Sequence, residues 1–182
     1  MRAHSAIAAL AALAFAQTAA AATVSIAPVR VDPEFQAKVG ARIAMNDYRT
    51  ETFDESDVAY LRREVGRAVG AALARAGASV GEGGAYVLDI TIVNADPNRP
   101  TMAQLRQRPG LDWINSVSTG GATLRGVLRD ASGAVVADIS HAYYTPSLDW
   151  VYATSGAWFD ADRSIRGFAR KVAAAYRARA AG

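Results

Sequence analysis

Histidine is the usual general base near neutral pH, and beyond the first few residues only His141 is present. It stands in a strand-like run with no nucleophile motif beside it, so a structural histidine is the simpler expectation. The carboxylates are scattered: Asp32 and Glu34, then Glu51, Asp54, Glu55 and Asp57, then Asp160 and Asp162. "DES" and "DAD" suit helix starts, and "FDADRS" stops after two acids where a calcium loop needs more oxygen donors. The glycine-rich "VGEGGAY" joins a helix to a strand, whereas a dinucleotide fingerprint runs from strand to helix. Cysteine is absent, which excludes disulfides and thiolate metal sites. No catalytic residue, no metal and no cofactor is expected.

Binding chemistry has better candidates. "NADPNRPTMAQLRQRPGLDW", from Asn94 to Trp113, leaves an alternating hydrophobic run and carries three prolines, three arginines and a tryptophan. Pro97 and Pro100 stiffen the start, because proline fixes its own backbone and restricts the residue before it. Arg99, Arg106 and Arg108 offer planar donors to an acidic partner, and Trp113 a flat apolar face. A second connection, "PSLDWVYATSGAWFD", holds Trp150, Tyr152, Trp158 and Phe159. Disordered segments are poor in aromatics, so this connection should be ordered. It is either a lid packed over the end of the sheet or, with the first stretch, a docking surface. Arg163, Arg166, Arg170 and Lys171 crowd the last helix; alanine dominates opposite them, so a solvated face is expected rather than a membrane-lying helix.

The elements that must position these residues follow from periodicity. "TVSIAPVRVDPEF" changes parity around Pro28 and reads as a strand with a bulge or at an edge. "QAKVGARIAMNDYRTETFDES" reads as loop, with "ARIAM" a possible short strand. Val58, Leu61, Val65, Val69, Ala72, Leu73 and Ala76 then recur at helical steps, with Ser56 or Asp57 as cap and Gly77 as terminator. Leu88, Ile90 and Ile92 alternate with Asp89 and Thr91, the pattern of a half-buried strand. Two more strands flank "DASG", with Gly133 in the left-handed position and Arg125 and Arg129 facing solvent. Ile165, Phe168, Ala169, Val172 and Tyr176 form the stripe of a final helix, capped by Asp160 or Asp162. The order is β-α-β-β-β-α. The expected fold is α/β of the α+β kind: a two-layer sandwich, a mostly antiparallel sheet with two helices on one face.

The first 22 residues look like a secretory signal peptide: Arg2, an apolar run from Ala6 to Ala16, and small residues up to Ala22. The expectation is a signal peptide over 1–22, a single domain over 23–182 and release into the periplasm. The apolar run is shorter than the ~20 residues that span a bilayer, and no transmembrane segment follows. Without a cysteine to carry lipid, no lipid anchor is expected. The formal net charge of +3 includes one arginine of the export segment, and this near balance gives no case for nucleic acid.

Element order and the stretches "VSIAPVRVDPEF", "YLRREVGRAVGAALARAG", "YVLDITIVNADPNRP" and "LRGVLRDASGAVVADI" resemble uncharacterised small envelope proteins and lipoproteins of Gram-negative bacteria. More loosely the chain looks like auxiliary lipoproteins of ABC-type transport systems and the amino-terminal domains of TolB and CsgG. The resemblance implies a non-enzymatic, periplasm-facing α/β domain that assists an envelope assembly, with an envelope protein or complex as partner; oligomeric state is left open. The alternative is a small periplasmic hydrolase acting on envelope glycan or peptide through acids such as Asp96 or Asp149.

Overall fold

The structure is a computed structural model, and it describes residues 22–39, 53–147 and 156–180. Residues 1–21 of the signal segment, the "ARIAM" stretch, Asp149, Trp150 and Tyr152 lie outside these residues. The first strand is split in two by Pro28: β1, Thr23–Ile26, and β2, Arg30–Val31. A short helix, α1, follows at Pro33–Ala37, and the long helix α2 spans Glu55–Arg75. Then come β3, Ser79–Val80, and β4, Tyr86–Asp96. After α3, Met102–Gln107, the hairpin strands β5, Gly121–Asp130, and β6, Val135–Tyr144, lead to α4, Phe159–Ala180.

One open sheet runs in the order β3-β1-β4-β5-β6, with β2 also paired to β4. Its long ladders, β4 with β5 and β5 with β6, are antiparallel, whereas β1, β2 and β3 pair in parallel. The parallel pairing is what a long helix between two neighbouring strands requires: α2 carries the chain back so that β4 starts beside β1 in the same direction. Apart from the split of the first strand at its expected irregularity and the short additions α1, β3 and α3, the element order is the expected one.

Both long helices pack on one face of the sheet, as their single apolar stripes demand. Leu61, Val65, Val69 and Leu73 of α2 and Ile165, Phe168 and Val172 of α4 form one core with Leu88, Ile90, Ile92, Leu124 and Leu128. Between β5 and α4 the approach is close, and Phe168 fills the space over Gly126. The other face is wet. There Asp89 sits between Arg30 and Arg129, at 3.2 and 3.5 Å, and Arg125 pairs with Asp138 at 2.6 Å.

Gly77 ends α2 with φ of 87° and Gly133 closes the hairpin with φ of 86°, both as expected. The cap of α2 differs: it is Asp54, which accepts from the N–H groups of Ser56 and Asp57, while the Asp57 carboxylate accepts from the Asp54 N–H. The reciprocal box "DESD" satisfies two sets of orphan donors, which Ser56 or Asp57 as the cap would not. At the far edge, Lys171 and Arg179 of α4 donate to the Ser140 and Val136 carbonyls of β6. His141 lies against Gly167, where a Cβ would collide with its ring, and burial with Lys171 and Arg170 nearby lowers its pKa. It serves helix–strand packing.

Candidate functional site

The stretch that leaves β4 divides into a buried start and an exposed outer turn. Pro97, Asn98, Arg99, Pro100 and Thr101 are all buried. Asn98 is the fastening point: its amide donates to the Asp160 carboxylate at 2.6 Å and its side-chain oxygen accepts from the Asp160 N–H at 2.8 Å. Its own N–H donates to the Ala157 carbonyl at 2.6 Å, and its carbonyl accepts from the Ser118 N–H at 2.9 Å. The Thr145 hydroxyl donates to the same Asp160 oxygen, so a buried carboxylate ties together this loop, the end of β6 and the start of α4. Gly120 is needed here, because a Cβ would stand about on the Asn98 amide, 2.5 Å from its oxygen.

Arg99 was expected to present donors to an acidic partner. Instead its guanidinium is 3% exposed as a residue and donates to the Trp113 and Ile114 carbonyls, each at 2.7 Å. A buried cation must be matched by acceptors, and here the loop's own backbone supplies them. The Arg99 side chain therefore shapes the loop from within. Arg106 is exposed and pairs with Asp54 at 2.8 Å, joining α3 to the cap of α2. Arg108 is half-buried and also engaged within the protein. The helix α3 itself starts with a capping box, in which Thr101 accepts from the Gln104 N–H and Gln104 accepts from the Thr101 N–H. "T-x-x-Q" was the signal in the sequence for this unpredicted helix.

The tryptophans part company. Trp158 is 6% exposed and packs on Phe53, which packs on Phe35, with ring centroids 5.5 and 5.3 Å apart. Its side chain also hydrogen-bonds Asp57, whose carboxyl is pushed up by burial against that bond, the Asp54 N–H and Thr101. Trp158 is a core residue, which removes it from the exposed candidates. Trp113 is 43% exposed, and it is accompanied by Ile114, Met102 and Val117, all exposed. Ile114, the most exposed of them, was missed in the sequence because the apolar residues of 111–117 follow neither helical nor strand periodicity, so nothing marks which of them face out. The turn beneath them is stiff: the Asp112 carboxylate accepts from the N–H groups of Ile114 and Asn115, both at 2.7 Å.

Catalytic alternatives find no constellation among the described residues. Asp96 accepts from Asn94, whose amide also meets the Tyr144 hydroxyl. No group of three or more His, Cys, Asp or Glu residues able to hold a metal occurs among the described residues. The second carboxyl raised by burial, Asp162, lies in the seam between α2 and α4. There Tyr60 donates to one of its oxygens at 2.9 Å, while the other oxygen is buried without a partner. The phenol is pushed up to about 12 by its own burial and this carboxylate.

No family model matches the chain, and no curated protein matches it. Among solved structures it is similar to a PelC dodecamer from Paraburkholderia phytofirmans, at TM-score 0.47 and 13% identity over 84% of this chain and 86% of that one. It is also similar to a lipoprotein from Neisseria meningitidis, TM-score 0.42, 12% identity, 88% of this chain and 98% of that one. A minor lipoprotein from Acinetobacter baumannii is similar at TM-score 0.39 and 9% identity, over 87% of this chain and 94% of that one. Likeness at these levels concerns the path of the chain alone. Envelope lipoproteins of Gram-negative bacteria are thus among the proteins of similar path, whereas likeness to ABC-transport auxiliary lipoproteins and to TolB or CsgG is not shown. One expectation is corrected: lipoproteins stand among the chains of similar path, against the expectation of a protein without a lipid anchor. No helix among the described residues is long and apolar enough to cross a membrane.

Proposed function

We propose that this protein is an exported, non-enzymatic binding or scaffolding module of the periplasm that assists an envelope assembly or transport system. The docking element is the outer turn between Met102 and Val117. One observation carries the reading: of the eight large hydrophobic side chains exposed among the described residues, four lie on this one connection, Met102 at the start of α3 and Trp113, Ile114 and Val117 in the turn after it. Scattered apolar residues are ordinary on a surface, but a cluster on a fastened loop is the usual mark of a contact surface. Tryptophan and methionine are enriched in such surfaces. Because Asn98, Arg99 and Asp112 already hold the loop, docking would freeze few additional backbone torsions.

The test is capture from envelope extracts by the tagged protein, compared with the Trp113→Ala/Ile114→Ala double variant. The expected result is a partner retained by the parent and lost by the variant, with melting temperatures within a few degrees of each other. Equal capture by both proteins, or turnover of a glycan or peptide substrate by the parent, would overturn it.

A further inference from the structure

β3 is only two residues long and covers Thr23 and Val24 of its neighbour. From Ile26 to Val31 the side of the chain turned away from β4 has no strand on it among the described residues. The Ala27 N–H donates to the Leu88 carbonyl at 3.0 Å and the Asp32 N–H to the Ile92 carbonyl at 2.9 Å. Successive residues of a parallel strand turn their backbone groups to opposite sides, so Ile26 and Val31 turn theirs outward, and Pro28 contributes a carbonyl with no N–H.

An open cleft of about 530 Å³ lies along this edge, lined by Pro28, Val29, Arg30, Val31 and Arg62. Among the described residues no carboxylate lines it. Arg62 makes no ion pair among the described residues, and Arg30 shares the single carboxylate of Asp89 with Arg129. Among the described residues the cleft and the edge beside it therefore combine outward-turned strand groups, an apolar wall and positive charge in excess. These three properties select one ligand chemistry. An extended backbone answers the edge, an apolar side chain the wall, and a carboxylate the guanidiniums, which bind carboxylates with paired, planar donors.

We propose that the edge formed by β1 and β2 captures an extended, carboxylate-bearing peptide segment by strand addition. This site is separate from the loop of residues 97–120, and it stands or falls independently of that loop's role.

The experiment is fluorescence anisotropy of the purified full chain with short dye-labelled peptides. One alternates valine and glutamate with an amidated end; one replaces glutamate by lysine; one replaces it by serine and keeps a free terminal carboxylate. Saturable binding of the glutamate peptide assigns the carboxylate to side chains, and binding of the serine peptide assigns it to a chain terminus; the lysine peptide should not bind. Arg62→Ala should weaken binding about tenfold, since it removes a charge-assisted pair, and N-methylation of alternate peptide amides should abolish it. Arg30→Ala gives an independent check should Arg62→Ala alter folding. The proposal is overturned if no carboxylate-bearing peptide binds, if both arginine variants bind as the parent does, or if N-methylated peptide binds equally. Binding confined to phosphatidylglycerol vesicles would also overturn it.

Discussion

Residues 97–101 and residues 111–117 belong to one connection and have opposite environments. The first segment is rich in polar side chains and is buried; the second carries Trp113, Ile114 and Val117 and is open to solvent. Polarity alone would have placed them the other way round. What decides is whether a polar group finds partners: Asn98 and Arg99 bury because Asp160, Ala157 and the Trp113 and Ile114 carbonyls answer their donors. The apolar turn points its side chains outward while its Trp113 and Ile114 carbonyls turn inward to the buried Arg99 guanidinium. Burial in the first segment thus fixes exposure in the second.

The comparison breaks most sharply at Asn98. Asn98→Ala leaves the buried Asp160 carboxylate with Thr145 alone and removes the acceptor of the Asp160 N–H, and should cost on the order of 2–4 kcal/mol in denaturant unfolding. A loss below about 0.5 kcal/mol would mean that the two segments are not coupled in this way.

A smaller effect separates two acids of the same helical turn. Asp160 has its bonds from Asn98 and Thr145, whereas Asp162 has Tyr60 on one oxygen and nothing on the other. Burial raises the Asp162 pKa above its ordinary 3.8, so its ionised form costs stability at neutral pH. Asp162→Asn keeps an acceptor for Tyr60 and should stabilise the protein at pH 7, by less than about 1 kcal/mol given the partial exposure of the site. The sign fixes the pH dependence. The gain is full above the raised folded pKa, shrinks as pH falls through it and vanishes below 3.8, where both states are protonated. Thermal melts of the two proteins from pH 7 to pH 3 should therefore converge; a constant difference would assign the effect to packing instead.

The smallest effect belongs to the outer turn. Ile114→Ser removes a side chain that is 74% exposed and should change stability by under about 0.5 kcal/mol. A larger loss in the same unfolding measurement would show that the turn packs on something in the folded protein.

Much of the scaffold was legible because periodicity reports directly on burial. The stripes of α2 and α4 and the alternation of β4 gave both the elements and the face on which they meet. The two-residue strand β3 was not legible, since its pairing is set by the register of β1 and not by its own residues. The loop was half legible. Its prolines marked stiffness, but Asn98 meets Asp160 at a separation of 62 residues, and Arg99 uses backbone carbonyls that leave no trace in side-chain identity. For Trp158 the sequence left packing and docking both open, and the choice falls to packing because Phe53, itself against Phe35, buries it from far along the chain.

The bonds from Lys171 and Arg179 to the outer side of β6 bear on how the protein behaves when crowded. A ten-residue edge strand is a template on which other chains can polymerise. Here two of its carbonyls are already occupied by cations from α4, so fibril growth through this edge would first have to strip both side chains away and then stack like charges. Among the described residues, α4 thus blunts the edge that the hairpin leaves without a further strand.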